Sequence, residues 1–521
     1  MSEDEPAGTV TPRTASEPAP SGAATSTSPD GVGGVLGATP RSREGMVDVL
    51  ILLLVFASSR WLYLRLGVRF DATPLSYFWQ YLDVQWLLER PFESLYHLHA
   101  QPPGWNAVLA LALRLGGEAH APAILEAFFR LDGVCLLLGM YALMRRFALP
   151  RGLSLGLTCA WIASPTAILY ESWLFYTYPT AVILLLLVLS VSFALERPTT
   201  ARLVTVAALV CSACYVRSAL HITWALAVVA LLAWSLREHR RRVLLALALP
   251  VLVLVGGLHV KNAMVFGSPA ASSWLGMSLA KLTVEALPPG EREAFMRDGA
   301  LSALADIPPF SPPEVYARRG VFPDSIHPDV PALSAPVRPS NHLNLNHEAY
   351  LGLSHTYLAD SLTVIRERPG IYLLSVRRAF ALYIKAPSQY WFLARNRAGI
   401  ERWTDVYDRL LYGAAPDERH RPHWDEWKGT CWWALLGILA CVAYAFHERR
   451  SSDARAVTYR VGVFTIVFVS VVVNLVELGE NQRFRVLVEP LIVVLGARAL
   501  FVLSQGVVSR RAAAAPRSPG R

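Results

Sequence analysis

The sequence predicts an all-α polytopic membrane protein of about ten transmembrane helices, carrying a mainly helical or irregular soluble region on its outer face. Three observations predict it. The 521-residue chain is 53% hydrophobic and only 17% charged, against about 25% charged in average soluble chains, and its mean hydropathy is +0.35. Apolar runs of about 20 residues, the length of a bilayer-crossing helix, recur along it. Arginines cluster in alternate connections between those runs, which is the pattern that orients a membrane protein.

Residues 1–45 are rich in Ser, Thr, Pro, Gly and Ala and lack the apolar pattern of a folded unit. They are expected to be a disordered cytoplasmic tail, and no apolar core follows the start to make a signal peptide. Spans are expected at roughly 47–66, 122–144, 153–170, 177–195, 202–217, 219–236 and 243–262. These form a transmembrane module, 46–262, whose first outer loop is 67–121. The run 104–117 numbers about 14 residues, too few to span comfortably, and reads as a juxtamembrane or re-entrant helix on the outer side.

Residues 263–428 form the largest polar region, expected outside. It is Pro-rich at first (Pro288, Pro289, Pro308, Pro309, Pro312, Pro313) and helical in pattern from about Glu348 to Lys385. There Tyr372, Val376, Phe380 and Ile384 recur at helical spacing with Arg377, Arg378 and Lys385 between them, which suits an amphipathic helix on the membrane surface. Three last spans, at roughly 430–446, 457–476 and 486–504, occupy 429–505. A second disordered cytoplasmic tail, 506–521, closes the chain.

The arginine clusters fix the orientation. They are Arg41 and Arg43; Arg145, Arg146 and Arg151; Arg197 and Arg202; Arg237, Arg240, Arg241 and Arg242; Arg449, Arg450 and Arg455; and Arg510 and Arg511. With the N-terminus inside, ten spans put every cluster in the cytoplasm. The expected setting is therefore a plasma membrane, bacterial inner by the arginine bias, with both termini cytoplasmic. The net charge of +9 is almost wholly arginine, with lysine only at 261, 281, 385 and 428; it serves orientation and is no sign of nucleic-acid binding. The six cysteines (135, 159, 211, 214, 431, 441) lie in apolar runs. Cys211-Ser-Ala-Cys214 reads as two small residues on a membrane helix, because such a pair gains redox or metal meaning only in a suitable fold.

This topology sorts the ionisable residues by side. The inside holds mainly arginines. The outside gathers Asp71, Asp83, Glu89, His97, His99, Gln101, Tyr170, Glu171, Tyr176, Tyr178, Arg217, His221, Lys261, Asn262, Glu477, Glu480, Asn481, Arg483 and Arg485. Such groups are costly near lipid and point to chemistry or ligand binding. A carboxylate at a membrane face can act as general base, and arginines beside it can stabilise a phosphate leaving group through charge-assisted hydrogen bonds. Together they fit transfer from a phosphorylated lipid carrier. Simpler roles stand beside these: Asp83 can cap a short helix, and His99 and Gln101 can brace the turn before Pro102-Pro103. His97 and His99 lack a placed third ligand for a metal. Trp391, Trp403, Trp424, Trp427, Trp432 and Trp433 read as interface anchors rather than a sugar platform.

Several ordered stretches carry a resemblance: Phe70-Asp71 after the first span; His99-Ala100-Gln101-Pro102-Pro103-Gly104-Trp105; Ser164-Pro165 through Tyr170-Glu171; Lys261-Asn262 through Gly267, then Ser272-Ser273-Trp274-Leu275-Gly276; Arg366-Glu367-Arg368-Pro369-Gly370; and Gln482-Arg483-Phe484-Arg485 with Pro490. In order and side the chain resembles a GT-C superfamily glycosyltransferase, of the group that includes protein O-mannosyltransferases and the lipid A aminoarabinose transferase. The resemblance covers about residues 47–504. It implies an inverting displacement that moves a sugar from a polyprenyl-phosphate donor to an acceptor hydroxyl on a glycan, lipid or protein at the outer face. Asp71 would be the base, with Asp83 as the candidate second acid; Arg483 and Arg485, with Lys261 or Arg217, would hold the phosphate. A divalent cation is optional on this reading. The chain departs from many relatives in having Ala72, not a second acid, after Asp71, and Met277-Ser278 after Gly276. The rivals are a non-enzymatic transporter or flippase of lipid-linked sugars, which would show mid-membrane charges and repeated halves, and a polymerase or ligase of surface polysaccharide.

Overall fold

A computed structural model describes residues 42–413 and 432–514. Trp424, Trp427, Lys428 and Cys431, residues 1–41 of the tail expected at 1–45 and residues 515–521 of the tail expected at 506–521 lie outside the described residues. The chain divides at Val47–Asp48; the contacts below belong to the second unit. Within the described residues the fold is all-helical, with isolated bridges only, at Asp71–Trp173 and Val337–Leu343.

Four helices are apolar and long enough to cross a membrane: α1 (Ser42–Arg65), α5 (Thr177–Glu196), α8 (Arg237–Phe266) and α13 (Ala454–Val476). A fifth candidate is the pair α3 (Arg151–Ile162) and α4 (Pro165–Glu171), bent by 55°. The single span expected at 153–170 is thus broken, because Ser164 caps α4 and Pro165 cannot continue α3. Shorter apolar helices are α6 (Thr200–Val216) and α7 (Ile222–Ser235). Two thirds of the apolar windows of α5 and α13 are buried, against one third for α1 and α8, so the first pair is central and the second peripheral. The outward residues of the peripheral helices, such as Leu50, Leu54 and Trp61 on α1 and Val253, Val260 and Met264 on α8, are large, apolar and exposed. Lipid is the solvent that such a surface suits.

Residues 104–117 form their own helical segment: the stretch α2 (Gly104–Arg146) is two helices joined across a break at Gly117, where φ is +62° and ψ −176°, and its second part runs through the second expected span. Only glycine takes that left-handed angle cheaply. The region after α8 is also built differently from expectation. The helix foreseen from Glu348 to Lys385 is two, α9 (Ala349–Glu367) and α10 (Pro369–Tyr383), parted by Pro369. Of the stripe Tyr372, Val376, Phe380 and Ile384, Tyr372 donates to the Leu475 carbonyl at 2.9 Å and Val376 and Ile384 are buried, so this side of the segment packs against the protein, while Leu373 and Leu374 of α10 are exposed. After α11 (Glu401–Tyr412) come α12 (Trp432–His447), then α13, the short α14 (Asn481–Val486) and α15 (Glu489–Ala514), which carries helix past the point where a tail was expected.

The loop arginines meet at one end of the bundle. Arg146, closing α2, pairs with Glu196, closing α5, at 2.5 Å. Arg202 near the start of α6 donates to the carbonyls of Phe193 and Arg197, and Arg242 to that of Pro198. Arg455, opening α13, lines a small cavity with Arg146, Ser192 and Glu196. The other ends of α5, α6 and α13 carry Tyr176, Arg217 and Glu477, which line one cavity.

Candidate functional site

One cavity, of about 400 Å³, collects side chains from widely separated parts of the chain, Tyr176 at the start of α5 among them. The first loop supplies Trp79, Gln80 and Gln101; the α6–α7 corner Arg217 and His221; the segment after α8 Ser272, Trp274, Ser278 and Lys281; the Pro-rich stretch Phe310. Phe468, Val472, Val473 and Val476 form an apolar stripe down α13, and Glu477, Glu480, Arg483 and Phe484 close the polar end. Three cations (Arg217, Lys281, Arg483) thus face two carboxylates (Glu477, Glu480).

The polar end is braced by tyrosines and ion pairs. Tyr390 donates to Glu480 at 2.5 Å, and Arg483, one turn further along, also donates to it. Burial alone would raise the Glu480 carboxyl, but the Arg483 guanidinium and the Tyr390 hydroxyl hold it below its ordinary value. Arg483 is 1% exposed, and its Nε and Nη1 find no acceptor in the protein. Its guanidinium lies 4.5 Å from the Phe175 ring and 4.9 Å from that of Phe484. Arg217 donates to the Tyr176 hydroxyl at 2.5 Å and lies against the same Phe484 ring at 4.6 Å, while its Nε is unpartnered. Two buried guanidiniums with spare donors, sharing one ring, make a cationic corner whose chemistry suits an anion. Lys281 pairs with Glu477 at 2.7 Å, and that partner outweighs burial and raises its pKa.

The other residues expected at the site fall elsewhere. Asp83 caps the helix Val84–Glu89, accepting from the Gln85 and Ser340 amides at 2.9 and 3.0 Å. His99 is locked between the Ser273 hydroxyl (2.8 Å) and the Asn346 carbonyl (2.9 Å), and burial lowers its pKa to about 3. Tyr170 donates to the Pro387 carbonyl. Glu171, fully buried, accepts from Arg60, Arg130 and Tyr178. Lys261 donates to the Tyr96 carbonyl at 2.8 Å and Asn262 to that of Ala270 at 2.6 Å. Arg485 faces away from the cavity, toward Glu489 and the Tyr383 carbonyl.

Asp71 is also outside the cavity wall. Its carboxylate accepts from the Thr73 amide and hydroxyl (3.1 and 2.6 Å) and stands 3.8 Å from Arg395. Its backbone bonds Ser172 and Leu174, beside Trp173; Trp173 stacks on Phe175 at 4.6 Å, and Phe175 meets Arg483. One aromatic layer therefore links Asp71 to the corner. Sequence reasoning missed Trp79, Gln80 and Phe310 as site residues; none sits in a periodic pattern. Among the described residues no group of three or more His, Cys, Asp or Glu is placed to hold a metal ion. No family model matches the chain, and none of the curated proteins or solved structures does.

Proposed function

We propose that this chain is a membrane glycosyltransferase of GT-C type, moving a sugar from a polyprenyl-phosphate donor to an acceptor hydroxyl on the outer face of a bacterial plasma membrane. The observation that carries the reading is the anion corner: Arg217 and Arg483, both buried, keep donors free at the head of an apolar stripe on α13. A phosphate on the two guanidiniums would leave its prenyl chain along Phe468, Val472 and Val476, between helices and in reach of lipid. Charge-assisted hydrogen bonds that tighten as charge develops on the departing phosphate are the catalytic contribution. The gathering of loop arginines at the opposite end supports a cytoplasmic position for that end, and with it an outer-face site. On this reading the chain crosses the bilayer ten times, α3 and α4 together making one crossing, both chain ends are cytoplasmic, and membrane lipids surround α1, α8 and α12.

The proton acceptor must come within hydrogen-bond reach of the attacking hydroxyl. The resemblance offers Asp71; Glu480 already stands beside Arg483. A phosphate that takes over Arg483 would release Glu480 from its ion pair and make it the better base, so donor binding and base activation would be coupled.

The test is binding and consumption of polyprenyl-phosphate sugars by the full chain in nanodiscs, wild type beside Arg483→Gln. Binding and turnover by wild type, with binding weakened at least tenfold in the variant, is the expected result. Binding with passage across the membrane and no glycosyl transfer would favour the flippase reading; no binding by wild type ends the donor assignment.

A further inference from the structure

We propose that the mouth of the cavity is a sugar subsite, in which Gln80 and Gln101 accept hydrogen bonds from ring hydroxyls and Trp79 lends its face to the ring. The proposal rests on the donor reading of the same cavity and locates the group to be transferred.

Two observations carry it. The Oε1 atoms of Gln80 and Gln101 are buried, find no donor in the protein, and belong to side chains lining this one cavity. Gln101 as a whole is only 8% exposed. A buried acceptor left unpaired is costly, so a ligand that pairs it gains accordingly. What pairs it must bring hydrogens. Phosphodiester oxygens and prenyl chains carry no donor, whereas a sugar ring is rich in hydroxyl donors. The unsatisfied groups of this cavity are thus of two kinds: guanidinium donors that match phosphate and amide acceptors that match a polyol.

The platform is held in place. Asn106 fixes the first loop by donating to the Gln80 carbonyl (3.1 Å) and accepting from the Leu82 amide (2.7 Å). Ser272 donates to the Ala100 carbonyl at 2.6 Å, next to Gln101. Trp79 stacks on Phe310 with ring centroids 6.1 Å apart and 19° between planes, yet remains 47% exposed. A rigid aromatic face, a few placed acceptors and a charged corner are the anatomy of a small-molecule site.

The experiment uses the full chain in nanodiscs and three probes: farnesyl phosphate, farnesyl-phosphoryl mannose and farnesyl-phosphoryl arabinose. A sugar-bearing probe is expected to bind more tightly than farnesyl phosphate. Gln80→Leu and Gln101→Leu should each weaken that probe by about three- to tenfold and leave farnesyl phosphate unchanged, which also reports that the variants are folded. Trp79→Ala, at an exposed position, should show the same split should a glutamine variant fail to fold. Equal affinity for all three probes, or variants that weaken every probe by one factor, would overturn the subsite while leaving the phosphate corner standing. Failure of wild type to bind any probe removes the donor reading, and the subsite with it.

Discussion

Arg483 and Arg485 stand two residues apart on α14 and serve opposite faces of it. Residues so spaced are about 200° apart around a helix. Arg483 turns to Glu480 and the cavity, while Arg485 turns to Glu489 and the Tyr383 carbonyl. One lines the cavity and the other is a brace.

Arg485→Ala is accordingly expected to act on stability. It leaves Glu489, 1% exposed, buried beside the site of its lost cation, and breaking a buried pair from one side costs about 3–5 kcal/mol. Thermal unfolding in detergent should show a large fall in midpoint, whereas Arg483→Gln should chiefly weaken farnesyl phosphate. Equal stability losses with equal binding would refute the division.

His99 makes stability depend on pH. Its folded pKa of about 3 lies below the ordinary 6.5 because burial disfavours the imidazolium. Below pH 6.5 the unfolded chain therefore takes up a proton that the folded chain refuses. Stability should fall as pH drops from about 6.5 toward 3, by up to about 1.4 kcal/mol per pH unit from this group. His99→Gln should flatten that slope in unfolding midpoints measured from pH 7 to pH 4; an unchanged slope would assign it to other groups.

Asp71 and Glu480 can be told apart by turnover. A transferase whose base is Glu480 loses catalysis in Glu480→Gln by two or more orders of magnitude, in the range general bases contribute, and keeps most of it in Asp71→Asn, whose side chain can still accept from the Thr73 amide. Single-turnover rates with a lipid-phosphate sugar measure both. Loss in Asp71→Asn alone returns the role to Asp71.

Gly276 is where the short helix Leu275–Ala280 meets α9. A Cβ there would lie 1.8 Å from the Ser354 carbonyl oxygen and 2.8 Å from the Leu358 nitrogen, both backbone atoms that cannot swing aside. Gly276→Ala should therefore cost about 1–3 kcal/mol or more and shift Leu275 and Ser278 in the cavity wall. A midpoint within a degree of wild type would show that the two helices slide apart freely.

Much of the helix layout was legible, because apolar runs and arginine clusters report on solvent and orientation one segment at a time. The grouping of Gln101, Arg217, His221, Glu480 and Arg483 followed from sorting residues by side; all five line the cavity. What sequence could not distinguish was a polar residue that serves ligand from one that serves backbone. Asp83 and His99 sit in the same loop as Gln101, yet they are spent on the amides of 85 and 340 and the carbonyl of 346. Such partners, about 250 residues away in two cases, leave no local trace. Trp79 and Phe310 were invisible for the same reason, since their stacking joins loops that share no pattern.

The break between α3 and α4 strands carbonyls where the chain has no helical donor for them. Arg60 reaches across to the Ile162 carbonyl at 2.9 Å and Tyr63 to that of Ala163 at 3.3 Å, and Arg60 also holds Glu171 at the end of α4. Within lipid an unpaired carbonyl has nothing else to turn to. One helix thus supplies, through Arg60 and Tyr63, the donors that the broken one lacks at its bend, so the bend holds only while the two stay packed together.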